Sequence, residues 1–283
     1  MDKKQKEDLL TYISPFLNIE KLFPLLPGAS DLKNVASFIG IEEDKLKAVR
    51  QNLDEQAKEA ALEILNNLED PVGTLENLPF HDEDVIVVIG DSIAGDRQGW
   101  FEILRHLLEI GTDKNLKFIN SASYQFNSTD ALKYLDQHMM AHNPNWVFVA
   151  LGTFDAYRPN YASDRTMISL TEFWENMNSI QNAIEHVTKN EVIWVSPTPV
   201  KSSAMEKDPL LNGVINNHDI VQIQQLLSDK NGFVVDPYGR RFGNPAEDWN
   251  YLSDGLHHSI TGHIQTVKKV LEVLSSTDKN QES

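Results

Sequence analysis

The sequence predicts an α/β fold, a parallel sheet covered by helices on both faces, with an N-terminal helical extension ahead of it. Three observations carry this. The run Val85-Ile86-Val87-Val88-Ile89 is apolar and β-branched, as suits a strand buried on both sides. From Asp84 onward, short apolar runs alternate with segments of helical spacing, the pattern of crossover-connected parallel strands. Residues 1–80 hold no convincing strand, so the chain divides into a helical module or extension over 1–80, an α/β domain over 81–276 and a polar tail over 277–283.

In the extension, Leu46, Val49, Leu53, Ala57, Ala60, Ile64 and Leu68 recur three or four residues apart, which predicts one long helix from Glu42 to Asn67. Shorter helices are expected over 9–17 and 31–39, separated by Pro24, Pro27 and Gly28. Pro71, Gly73 and Pro79 mark the junction. Strands are then expected at 85–89, 116–119, 146–151, 192–195 and 233–235. The intervening helices fall at 100–110, 129–140, 170–187 and 220–227. Pro197 and Pro199 open a loop running to about Asn217. Ile260, Ile264, Val267, Val270, Leu271 and Leu274 give a final amphipathic helix with Ser259 as its cap.

The chain has 283 residues, 41% of them hydrophobic, enough for a three-layer core with an appendage. A formal net charge of −17 argues against nucleic acid or an anionic membrane surface as a partner. With no cysteine, disulfides, thiolate metal sites and cysteine nucleophiles are excluded. No apolar run reaches membrane-spanning length, and Met1-Asp2-Lys3-Lys4-Gln5-Lys6 leads into no signal-like segment, so a cytoplasmic location is expected.

The first apolar strand ends in Gly90-Asp91-Ser92. Open α/β sheets place their chemistry at the C-terminal ends of strands, and a following helix would offer N–H groups and a positive dipole end there. Asp and Ser are also ordinary helix caps, which is the plainer reading of this turn. Far downstream, Asp254-Gly255-Leu256-His257 lies on the loop into the last helix. At that spacing a carboxylate can fix the imidazole tautomer, leaving the other ring nitrogen to take a proton from a serine.

Together these residues resemble the SGNH (GDSL-type) hydrolases, a family of serine esterases and lipases, from about residue 83 to 275. Gly90-Asp91-Ser92 matches the first block and Asp254-Gly255-Leu256-His257 the last. Asn120-Ser121-Ala122 stands for the second, normally Asn-x-Gly, and Gly152-Thr153-Phe154-Asp155 for the third, normally Gly-x-Asn-Asp. The resemblance implies a three-layer, flavodoxin-like α/β/α fold. It makes Ser92 the nucleophile, His257 the general base and Asp254 its orienting carboxylate. The Ser92 and Ala122 N–H groups would form the oxyanion hole, without a third donor because Phe154 replaces the asparagine and a phenyl ring donates no hydrogen bond. Asn120, Tyr124 or a water would then be candidates to replace that donor. Asp91, Asn120, Phe154 and Tyr157 are expected around the substrate, with Tyr161 beside them on the same loop.

Asp155 is expected to hold the loop carrying Ser92. His257, His258 and His263 lie close in sequence, but adjacent histidines on a loop point apart, so neither metal nor other cofactor is expected. Asp96 and Arg97 read as an exposed helix start or as substrate contacts; Trp100, Trp146 and Trp194 read as core. The expected function is hydrolysis of a small-molecule carboxylic ester through an acyl-serine intermediate. The alternative is a weak or inactive SGNH-fold protein serving as a binding or interaction module. In either case the N-terminal helices are where a second copy or partner would bind.

Overall fold

The computed structural model describes residues 14–22, 26–208, 211–239 and 243–276. Five strands, β1 (Val85–Gly90), β2 (Lys117–Asn120), β3 (Trp146–Ala150), β5 (Ile193–Val195) and β7 (Phe233–Val235), form one sheet in the order β2-β1-β3-β5-β7. Every pairing in it is parallel. The chain order reverses between β1 and β3, so the crevice at their C-terminal ends is the switch point where such sheets bind ligands.

The five longest helices are α1 (Glu43–Asn67), α2 (Trp100–Gly111), α3 (Leu170–Val187), α4 (Asn217–Ser228) and α5 (Ile260–Ser275). Successive strand residues point to opposite faces, and the packing follows that alternation. Ile86 and Val88 of β1 pack with Ala57 and Ile64 of α1, Leu104 and Leu107 of α2, and Val267 and Leu271 of α5. Val87 and Ile89 pack with Met177 and Ile180 of α3 and Ile223 of α4 on the other face. Three layers result, and α1 of the N-terminal extension shares the first core. Helix starts follow the sequence: Ser169 Oγ accepts from Glu172 N at 3.2 Å, and Ser259 Oγ from Gly262 N at 3.2 Å. Trp100, Trp146 and Trp194 are all core.

Some expectations need correction. The helix expected over 129–140 is broken into Ser128–Lys133, Leu135–His138 and a 3₁₀ turn at Met140–His142. The break falls at Tyr134, which leaves helical geometry and stacks its ring on Phe126 and His138. The loop opened by Pro197 contains a short helix, Ser202–Met205, and a strand, β6 (Gly213–Ile215), which pairs antiparallel with β4 (Tyr157–Pro159). Gly213 permits that contact, because a Cβ there would stand 2.4 Å from the Tyr157 hydroxyl. Of the helix expected over 9–17, residues 9–13 lie outside the described residues and Ser14–Phe16 form a turn.

Candidate active site

Four chain segments meet at the C-terminal ends of β1, β2 and β3. The first is the turn after β1. Gly90 is needed there for close approach, since a Cβ would lie 2.7 Å from the Ala150 carbonyl. Asp91 N donates to Ala150 O at 3.2 Å, and Asp91 Oδ1 accepts from Ile93 N at 2.9 Å, which fixes Ser92 at the turn's apex. The helix expected over 100–110 is there, α2 beginning at Trp100, but residues 92–95 before it are turn, so it does not start at Ser92. No helix dipole therefore aims at Ser92 from its own element, and any anion held there must rely on individual N–H groups.

The second segment is the loop before α5. Asp254 Oδ1 accepts from Leu256 N and His257 N, both at 2.9 Å, which folds the loop back on its own carboxylate. Gly255 makes this fold with φ +71, in the left-handed region that favours glycine. Asp254 Oδ2 then lies 2.6 Å from His257 Nδ1, and His257 Nε2 lies 3.1 Å from Ser92 Oγ. An ionised carboxylate only accepts hydrogen bonds, so Nδ1 carries the imidazole proton and Nε2 presents its lone pair to the serine hydroxyl. Ser92 and Asp254 are 0% exposed and His257 1%.

The third and fourth segments, after β2 and after β3, carry the groups beside these three. Ala122 is buried and outside the left-handed region, so its backbone has no need of a glycine. Its N–H donates to Asn120 Oδ1 at 3.2 Å, whereas Ser92 N–H makes no bond within the described chain. Phe154 is 3% exposed, built into the second core with its ring 6.2 Å from that of Tyr157.

Several residues expected to touch substrate are engaged elsewhere. Asp91 is buried, and its carboxylate also accepts from the Thr153 hydroxyl, which ties the first block to the third; burial pushes its pKa up to about 6. Asn120 is committed on both ends of its amide: Nδ2 donates to Ala94 O and Glu102 Oε1, each at 3.0 Å, and Oδ1 accepts from Lys21 Nζ at 2.9 Å as well as from Ala122 N. It is thus not a spare donor. Tyr157 donates its hydroxyl to Leu211 O, and Tyr161 is fully exposed. Asp155 accepts from Ser128 N at 3.0 Å and from the Ser128 hydroxyl, so it holds the loop after the second block rather than the one bearing Ser92. Burial raises Asp155 to about 6 as well.

The three histidines take different partners, although the His258 and His263 ring centroids lie 5.3 Å apart. His257 faces Asp254, His258 Nε2 meets Thr198 Oγ1 at 3.0 Å, and His263 Nε2 meets Asp96 Oδ2 at 3.2 Å. Asp96 is 1% exposed, so it is an internal partner of α5 and not part of an exposed helix start. Burial holds His258 neutral, well below the usual histidine range.

One neighbour had no sequence signal. The Phe16 ring lies parallel to the His257 imidazole, centroids 3.9 Å apart at 4°. Its segment, Ser14-Pro15-Phe16-Leu17-Asn18, has no periodicity that would have placed it here.

The family profile described as GDSL-like lipase/acylhydrolase matches residues 86–270. Among solved structures, a lipase/acylhydrolase from Enterococcus faecalis aligns with a TM-score of 0.53 at 22% identity, over 68% of this chain and 96% of that one. A mutant of an acetyl-xylooligosaccharide esterase from Geobacillus gives 0.55 at 16% identity, over 69% and 95%. A catalytic mutant of an acetylxylan esterase from Geobacillus stearothermophilus, with a serine replaced, gives 0.53 at 16% identity, over 69% and 95%. Other catalytic mutants of that enzyme replace a histidine or an aspartate. No curated protein matches the chain by sequence. At these identities the structures speak for the fold, while the profile spans most of the chain and reaches every strand of the parallel sheet. A GDS turn after the first of those strands and a DGLH loop before the last helix lie inside that match, and the chain belongs to the GDSL-like lipase/acylhydrolase family, hydrolases of carboxylic esters.

Proposed function

We propose that this protein cleaves carboxylic esters through an acyl-Ser92 intermediate, with His257 as general base and then general acid and Asp254 as its orienting carboxylate. The observation that carries the reading is the continuous chain of contacts from Asp254 Oδ2 through the imidazole to Ser92 Oγ, at 2.6 and 3.1 Å. Its residue types are also those replaced in the catalytic mutants of the acetylxylan esterase.

Ser92 Oγ attacks the ester carbonyl as its proton passes to His257 Nε2, and Asp254 stabilises the resulting imidazolium. The carbonyl π electrons move onto oxygen, giving a tetrahedral oxyanion. His257 then returns the proton to the departing alkoxide, the C–O bond to the alcohol breaks, and acyl-Ser92 remains. A water activated by His257 hydrolyses that ester and restores the hydroxyl.

Ser92 N–H and Ala122 N–H are the donors assigned to the oxyanion. Ala122 N–H must turn from Asn120 Oδ1 or be shared with it, and the Phe154 ring supplies nothing. A missing donor typically costs about 10² to 10³ in turnover, so a slow esterase is the physical expectation. Steady hydrolysis of p-nitrophenyl acetate, compared with a Ser92→Ala variant of equal thermal stability, tests the reading. Loss of turnover in the variant supports it, and equal turnover in both refutes it.

A further inference from the structure

Ser92 and His257 are sealed from solvent, yet an ester must reach both. Part of what covers them is residues 14–22. Phe16, 1% exposed, lies flat on the His257 ring and 6.1 Å from the near-parallel ring of Tyr124. Asn18 Nδ2 donates to Gly95 O at 2.6 Å and Arg97 N donates to Pro15 O at 2.8 Å, which lash the segment to the loop just after Ser92. Lys21 Nζ reaches Asn120 Oδ1 at 2.9 Å, beside the second block. Glu20 bridges Arg97, on that same loop, and Arg50 of α1 at 3.0 Å.

The way this segment is held differs from the rest of the fold. Neither Phe16 nor Ile19 belongs to the two cores that sandwich the sheet. Ile19 sits in a small separate cluster with Val35, Ala36 and Leu46. The fastenings named above are hydrogen bonds, that of Asn18 buried, and partly exposed ion pairs, each modest on its own. The segment can therefore leave the site while both cores stay packed, and locally opening elements of this kind are commonly those that cover active sites.

Resting on the reading of Ser92 as nucleophile, we propose that residues 14–22 form a strap that shuts the site, and that an ester reaches Ser92 only when Phe16 lifts off His257. The strap is autoinhibitory. The fraction of molecules with it open scales the apparent rate at which any acyl or phosphonyl donor meets the serine, just as a fractionally populated competent state scales affinity.

The test is the second-order rate of Ser92 phosphonylation by an alkyl fluorophosphonate, followed by intact mass on the full chain. Wild type is compared with Phe16→Ala, Phe16→Tyr and Glu20→Ala, and Ser92→Ala sets the background. Phe16→Ala is expected to react about tenfold faster or more, because the closing contact is gone. Glu20→Ala, which loosens the strap without touching the triad, should react severalfold faster, and Phe16→Tyr, which keeps the ring, should stay close to wild type. If Phe16→Ala fails to fold, as a melting curve will show, Glu20→Ala decides. Unchanged or slower labelling in both loosened variants, with wild type labelled at Ser92, overturns the strap and leaves the nucleophile standing. Labelling of no form above the Ser92→Ala background overturns the nucleophile, and the strap with it.

Discussion

Ser92 Oγ and His257 Nε2, separated by 165 positions in the sequence, stand 3.1 Å apart at the end of the first strand, with neither side chain open to solvent. On the far side of the imidazole, Asp254 both closes its own loop through two N–H bonds and faces His257 Nδ1. Asp254→Asn keeps one oxygen for the loop but replaces the acceptor at Nδ1 or forces the wrong tautomer. It is expected to lower kcat by about 10³ to 10⁴ while barely moving the melting temperature. A kcat close to wild type, measured on p-nitrophenyl acetate, would count against the triad assignment.

Phe154 predicts a trade. Phe154→Asn would set an amide where the third-block resemblance calls for one, and raise turnover per folded molecule by about tenfold or more if the oxyanion lacks that donor. The same change removes a ring from the core, at a cost of roughly 3 to 5 kcal/mol of stability. Rate must therefore be referred to the folded fraction, measured by circular dichroism at the assay temperature. A per-molecule rate at or below wild type would mean that the oxyanion is held some other way.

Asp91 gives a pH-dependent prediction whose sign follows from its raised value, about 6 against 3.8. Burial disfavours the ionised form in the folded state, so the group costs nothing at about pH 3, costs increasingly as pH rises through 4 to 6, and costs a constant amount above that. A shift of that size corresponds to roughly 3 kcal/mol. Asp91→Asn carries no such penalty, so its stability relative to wild type should improve as pH rises from about 4 to 7. Urea unfolding at the two pH values measures it, and a relative stability that falls with pH would show that the native site favours the ionised carboxylate.

The Asp96–His263 pair ties the loop after Ser92 to α5, with both side chains nearly inaccessible. Asp96→Ala strands a buried histidine and is expected to destabilise the fold by about 3 to 5 kcal/mol. Asp96→Asn retains an acceptor and should lose clearly less. Similar melting temperatures for the two variants would show that the pair is not what joins these elements.

Much of this was legible because it follows from local chemistry. The β-branched run at Val85 to Ile89 could only be a strand buried on two faces, and Ser259 with its apolar periodicity announced α5 closely. The serine, histidine and aspartate were legible as a constellation because each stands at a strand end or a helix approach. What escaped depends on contacts made across long stretches of chain. Strands β4 and β6 are three residues each, too short for any period to show. Asp91 and Asn120 looked like substrate contacts, since nothing local reveals that Thr153, Glu102 and Lys21 occupy them. Phe16 is the extreme case: a lone aromatic between a proline and a leucine, placed on the imidazole by tertiary packing alone.

The most direct test of the acyl-serine account is to quench the protein in acid during turnover of p-nitrophenyl butyrate and weigh the peptide that contains Ser92. The account predicts a butyryl adduct on that peptide, localised to Ser92 by fragmentation and absent from His257→Ala. An unmodified Ser92 peptide during steady turnover, or an adduct on another side chain, would contradict it.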